Sequence, residues 1–192
     1  PKPPPRPVWP PPLPRRWESD WPSKVPLTPR WSHRWDKTAT FPQKQIRILL
    51  AKGRKYRNLK EFKAATRIYR EIIRLVPWHI EALRSLAQLY GWQKKFKMAL
   101  QTYHDLLHQN PGDVEAIRGL GDLAFWQEKY HKAIFWFQLY LQQQPKDLQV
   151  WLNLARAARK EKRRKIAVEA YQKILKAQPK NIEARLYFSP KP

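Results

Sequence analysis

Two histidines one helical turn apart are the first residues here whose types and spacing suggest chemistry. The run His104-Asp105-Leu106-Leu107-His108 places two imidazoles at i and i+4. That spacing lets both reach one zinc ion, with Asp105 where a metalloprotease carries its glutamate base. Two facts oppose the reading: no third ligand is evident, and Leu106 and Leu107 fall on a core-facing pattern. Cysteine is absent, which excludes disulfides, thiolate metal sites and cysteine nucleophiles together. The five glycines do not cluster, so nothing resembles a phosphate-binding loop. No carboxylate pair and no Ser/His/Asp set has positional support. The expectation is therefore a chain with no catalytic residues, no metal site and no cofactor.

The chemistry that remains is recognition. Lys and Arg number 39 against 15 Asp and Glu, a formal charge of +24. Such a field favours anionic partners: nucleic acid, acidic protein segments, anionic glycans or lipid headgroups. Thirteen of the 19 prolines precede residue 43, and so do five of the ten tryptophans, Trp9, Trp17, Trp21, Trp31 and Trp35. The segments Arg16-Trp17-Glu18-Ser19-Asp20-Trp21 and Arg30-Trp31-Ser32-His33-Arg34-Trp35 look like copies, each with an Arg and two Trp four residues apart. Trp and Arg are the side chains most enriched as binding anchors. Disordered tails, by contrast, are poor in aromatics. The five Trp are accordingly read as anchors that tether the arm to a folded surface. Its opening, Pro1 to Pro14, favours polyproline II. Within it, Pro11-Pro12-Leu13-Pro14-Arg15-Arg16 matches a PxxPxR ligand, a pattern common in any Pro-rich stretch.

These residues need elements to position them, and the elements announce themselves as a repeat. Pro77, Pro111, Pro145 and Pro179 stand 34 residues apart. In phase with them run Ala65, Ala99, Ala133 and Ala167, then Gly53, Ala87, Gly121 and Ala155. Large apolar residues recur at Leu49, Leu83, Ile117 and Trp151, and aromatics at Tyr69, Tyr103, Phe137 and Tyr171. Within a unit the apolar spacing is helical, as in Leu83, Leu86, Ala87 and Tyr90. Small columns let paired helices approach closely, and each Pro stops the second helix. The pattern predicts hairpins at about 43–57/60–76, 79–92/95–109, 113–126/129–143 and 147–160/163–177. Thr40 is the expected N-cap of the first helix, with Pro42 tolerated in its first turn. After Pro179, Asn181-Ile182-Glu183-Ala184 restarts the pattern, which breaks at Ser189-Pro190. No apolar run approaches the roughly 20 residues that span a bilayer.

Small–large spacing closed by Pro at this period resembles the tetratricopeptide repeat family over about residues 43–188. Lys52 departs from the apolar residue seen at Leu86, Leu120 and Leu154, and Ala124 and Ala158 from the aromatic seen at Tyr56 and Tyr90. The resemblance implies an all-α solenoid of helical hairpins behind an extended Pro/Trp-rich N-terminal arm. The expected organisation is an arm over 1–42, repeats at about 46–79, 80–113, 114–147 and 148–181, a partial fifth at 182–188, and a tail at 189–192. It also implies a concave groove lined by the first helix of each unit. Carried over residue by residue, that groove holds Arg47, Arg54 and Arg57, then Glu81, Arg84, Gln88 and Trp92. Next come Glu115, Arg118, Asp122 and Trp126, and last Asn153, Arg156 and Arg159. One subfamily grips C-terminal carboxylates with a Lys followed one turn later by Asn. The matching pairs here, Leu50/Arg54, Arg84/Gln88, Arg118/Asp122 and Leu152/Arg156, do not fit that clamp. For Trp92 and Trp126, packing between units is weighed above ligand stacking. Their Trp-Gln turns are similar to repeats of bacterial envelope proteins that help export polysaccharide.

Charge is placed unevenly. The first and fourth units each hold ten Lys/Arg against two acids, whereas the second holds four against three and the third four against four. The densest run, Arg159, Lys160, Lys162, Arg163, Arg164 and Lys165, makes a basic pole, and Lys52, Arg54, Lys55 and Arg57 make another. The leading expectation is a non-enzymatic scaffold that binds protein segments in its groove and at its poles, with the arm docking on a neighbouring subunit or partner. Alternatives are a nucleic-acid-binding module, or an envelope protein that binds anionic polysaccharide or an export assembly. The compartment stays open; periplasm or cell surface is favoured if Pro1 is a processed N-terminus.

Overall fold

The computed structural model describes residues 43–189, and the five arm tryptophans and the Thr40 cap lie outside them. Eight helices form four hairpins: α1 (Gln43–Asn58) with α2 (Phe62–Leu75), α3 (Ile80–Trp92) with α4 (Phe96–Gln109), α5 (Val114–Trp126) with α6 (Tyr130–Gln143), and α7 (Leu148–Lys160) with α8 (Arg164–Ala177). A short α9 (Ile182–Phe188) follows. No strand occurs among the described residues. Helix bounds depart from the sequence expectation by about two residues at most, the ordinary scatter of helix ends. No described helix is long and apolar enough to cross a membrane.

Local chemistry explains each start and stop. Within every hairpin the turn passes through one residue of left-handed backbone: Lys60, Lys94, Glu128 and Lys162, with φ between 58° and 60°. The chain then closes back on the helix, as where Lys95 N–H donates to the Tyr90 carbonyl at 2.8 Å. Between hairpins, the second helix ends just before Pro77, Pro111, Pro145 or Pro179, which cannot extend it. The next helix begins on a side-chain cap. Ala82 N–H donates to His79 Nδ1, Ala116 N–H to Asp113, Val150 N–H to Asp147 and Ala184 N–H to Asn181, at 2.9–3.2 Å. These caps form a further column at the repeat spacing, one the sequence analysis did not single out.

The columns meet where the expectation places them. Ala65, Ala99, Ala133 and Ala167 have no exposed surface. A Cβ on Gly53 would lie 2.9 Å from the Tyr69 ring, and one on Gly121 2.6 Å from Phe137, so each aromatic is seated on a glycine backbone. Leu107 and Trp136 pack against the cores on both sides of them, so the apolar interior runs on from hairpin to hairpin. Each fully buried Leu or Ile in it contributes about 1.5–3 kcal/mol. Lys52 is exposed. At the other end Ile182 and Leu186 on α9 are largely exposed; α9 packs on α8 and reaches α7 through Arg156. First helices touch one another, α3 with α5 and α5 with α7. The hairpins are therefore drawn together on that side, which becomes the inner face of the stack.

Candidate functional site

The inner face carries a ladder of ion pairs that cross from one hairpin to the next. Arg54 on α1 grips Glu81 on α3 through two hydrogen bonds of 2.8 Å. Arg84 on α3 donates to Asp113, the buried cap of α5, at 2.7 Å. Arg118 on α5 lies 3.7 Å from Asp147, the cap of α7, and 3.9 Å from Asp122. Asn153 on α7 donates back to Asp122 at 3.2 Å. Arg156 on α7 holds Glu183 on α9 at 2.6 and 3.0 Å, and Tyr171 donates to the same carboxylate. Bidentate guanidinium–carboxylate pairs fix orientation as well as charge. Arg54, Arg84, Arg118 and Arg156, four of the arginines expected to line a groove, are thus each already held by a carboxylate.

Pairing leaves the ends of that face cationic and its centre nearly neutral. Arg47 and Arg159 are exposed and Arg57 is half-buried, and none has a salt bridge among the described residues. Lys160, Lys162, Arg163, Arg164 and Lys165 are likewise exposed around the α7–α8 turn, with no described carboxylate within salt-bridge reach. Of the other pole, Lys52 and Lys55 are exposed while Arg54 belongs to the ladder. Gln88, half-buried on α3, follows Arg84 by one helical turn.

Electrostatics single out Asp122. Burial pushes its carboxyl up to about 6, with Asp147 and Glu115 acting the same way, and Arg118 and the Asn153 hydrogen bond only partly opposing. Glu183 is lowered instead, because the Arg156 hydrogen bonds favour its charged form. Burial, the hydrogen bond it donates to Asp147 and the charge of that carboxylate raise the Tyr140 phenol to about 12, so it stays a donor at any physiological pH.

The tryptophans of the face do two things at once. Trp92 packs its ring 5.4 Å from Phe62 across the first interface, and Trp126 lies over Gly91, where a Cβ would come within 2.9 Å of it. Both nevertheless stay 43% and 46% exposed, so a free ring surface remains beside the packed one. His104 and His108 share α4 with buried Leu106, and no group of three metal-ligating side chains exists among the described residues.

Two features escaped the sequence reading. The capping carboxylates Asp113 and Asp147 double as ladder rungs; their recurrence at the repeat spacing was the available signal. The pairing of the rungs had none, although Arg54, Glu81, Arg84, Arg118 and Arg156 were themselves expected in the groove, for partners are separated by 27 or 29 residues, not by the repeat length.

Residues 93–158 match one model of the tetratricopeptide repeat and residues 148–181 match a second. No curated protein matches the chain. Among solved structures, MamA from Desulfovibrio magneticus RS-1 is similar with a TM-score of 0.69 at 16% identity, over 74% of this chain and 81% of that one. YrrB, described as a repeat protein with an unusual peptide-binding site, superposes with a TM-score of 0.63 at 18% identity, over 76% of this chain and 75% of its own. The first repeat domain of Spaghetti (RPAP3), solved bound to an HSP90 peptide, gives 0.57 at 20% identity, over 60% and 92%. At such identities the likeness establishes the fold.

Proposed function

We propose that the chain, whose residues 93–158 and 148–181 match models of the tetratricopeptide repeat, is a non-enzymatic adaptor, the repeat serving generally as a protein-interaction scaffold. A partner segment lies along the inner face, and the arm docks on a neighbouring subunit or partner. The observation that carries the groove reading is its charge layout. A paired, oriented ladder runs through the middle, and unpaired Arg47, Arg57 and Arg159 stand at the ends. The paired centre offers hydrogen-bonding side chains such as Gln88 and Asn153 without large net charge. The ends attract carboxylates on the bound segment. YrrB and the RPAP3 domain support a peptide as the ligand class by analogy of fold.

The arm reading rests on the repeated Arg-Trp segments at 16–21 and 30–35. Head-to-tail docking of an arm on the next copy is an open contact and would produce chains. Cross-linking mass spectrometry on protein from its native source tests both halves. Cross-links from the lysine positions flanking Trp17–Trp35 should reach another polypeptide, and partner cross-links should cluster on α1, α3, α5 and α7. Links confined to the same polypeptide would refute arm docking. In light scattering, deletion of residues 1–37 should lower the oligomer mass; an unchanged mass would refute self-assembly.

A second reading has one observation behind it: the unpaired cations from Arg159 to Lys165 suit nucleic acid or an anionic polysaccharide. Phosphate contacts release counterions, so binding of single-stranded RNA there would weaken steeply with salt. A flat salt response would remove this reading.

A further inference from the structure

The opposite side of the stack carries a second surface, between α2 and α4, whose floor is α3. It is a cleft of about 1040 Å³. Lys63, Arg67, Arg70 and Arg74 line one wall from α2, and Lys97 adds a fifth cation from α4. On α2 these positions fall at i, i+4, i+7 and i+11, one continuous stripe about 16 Å long. Glu71 is the single acid at the lining, and none of the five cations has a salt bridge among the described residues. The floor is apolar: Leu86 and Tyr90, with Ile73 and Met98 on the walls. Met98 is 45% exposed, unusual for a side chain that packs readily when given a partner.

The next unit shows why this cleft is open. Position 102 is Thr, whereas the equivalent position one repeat later is Trp136. Trp136 is half-buried and packs against the cores of both neighbouring hairpins, filling the corresponding space between α4 and α6. The small Thr102 leaves the first cleft unfilled. Its hydroxyl is spent locally, donating to the Met98 carbonyl at 2.8 Å.

We propose that the cleft between α2 and α4 is a docking site for an acidic amphipathic helix of a partner protein. Such a helix presents apolar side chains to Leu86, Tyr90 and Met98 while its carboxylates run along the α2 stripe, three turns of charge against three turns. The arm of this chain is a poor charge match for the cleft, since residues 1–42 hold eight Lys/Arg against three acids. Nucleic acid fits less well, because the floor offers aliphatic surface and a nearly buried Tyr90 where bases need an open aromatic face. This surface is distinct from the inner face, so the proposal stands or falls apart from the groove reading.

The probe is a fluorescein-labelled 15-residue helical peptide with Leu along one face and Glu on its flanks, titrated by anisotropy against the full chain. Thr102→Trp, which leaves the net charge unchanged, should weaken binding at least tenfold with circular dichroism unaltered. If that variant fails to fold, Arg67→Glu with Arg70→Glu replaces it, set against an equal charge reversal at exposed Lys173 and Lys176 on α8. The cleft pair should abolish binding and the remote pair should reduce it only modestly. A peptide with every Leu changed to Ser should lose the interaction. Equal binding by T102W, by the Ser peptide or by both reversal pairs would overturn the proposal. So would preferential binding of oligouridine over the peptide, or a tenfold affinity gain on removing residues 1–42.

Discussion

Replacing Asp122 by Asn turns the most perturbed carboxylate of the inner face into a neutral side chain of the same shape. In the folded chain the Asp122 carboxyl sits at about 6 against an ordinary 3.8, raised chiefly by burial. A group whose folded pKa is raised contributes stability fully below the unfolded value, and loses it as pH climbs through the folded value. Asp122 therefore costs nothing well below pH 4, and its penalty grows between about pH 4 and 6 to its full value. The difference between about 6 and 3.8 corresponds to about 3 kcal/mol at most. The side chain keeps 27% exposure, so solvent screening lowers the expected penalty to about 1–2 kcal/mol. Losing the 3.9 Å contact to Arg118 subtracts little, because Arg118 retains Asp147. Asn also keeps an acceptor for the Asn153 amide. Urea unfolding followed by circular dichroism at pH 4.5, 5.5, 6.5 and 7.5 measures the outcome. D122N should exceed the parent by only about a third of the full difference at pH 4.5 and by about 1–2 kcal/mol at pH 7.5, with most of the gain in place by about pH 6. A pH-independent difference, or a variant less stable than the parent at pH 7.5, would refute the assignment of the penalty to a buried charge.

Lys94→Gly should raise stability by about 0.5–1 kcal/mol, since its φ of 58° is left-handed backbone that glycine adopts without strain; a thermal melt about 2–4 °C higher is the readout. Gly119→Ala should destabilise by about 1–2 kcal/mol despite better helix propensity, because the new Cβ would lie 2.2 Å from the Tyr103 ring; urea midpoints decide it. Asp147→Ala removes the α7 cap together with the Tyr140 hydrogen bond and should cost about 1–2 kcal/mol, with Asp147→Asn recovering much of it in the same assay. Arg54→Ala should change stability by at most about 1 kcal/mol, because its pair with Glu81 is solvent-exposed; a larger loss in the same urea experiment would mean that the ladder acts cooperatively.

The inner face and the outer cleft differ in how they reach a ligand. On the inner face the arginines are held by carboxylates, so a partner meets fixed donors and little net charge. In the cleft the α2 cations have no described carboxylate within salt-bridge reach, and an acidic partner gains their charge directly. Pre-ordered donors lose less side-chain entropy on binding, while unpaired cations give faster encounter and stronger salt dependence.

What the sequence determined by itself was the hairpin repeat and its seams. Prolines stop the helices beside them and small residues admit aromatics from the other helix of the same hairpin, so both survive as columns every 34 residues. Lys52 departs from the apolar column of Leu86, Leu120 and Leu154, and it is exposed in the structure. Only the tertiary structure decided which charges are already spoken for. Arg54 finds Glu81 and Arg156 finds Glu183 27 residues on, while Arg84 finds Asp113 29 residues on. Those separations arise because first helices of successive hairpins pack side by side, and no single column records that pairing. The open cleft has the same origin: Thr102 and Trp136 look like ordinary variation until neighbouring helices are stacked, when one leaves space and the other fills it.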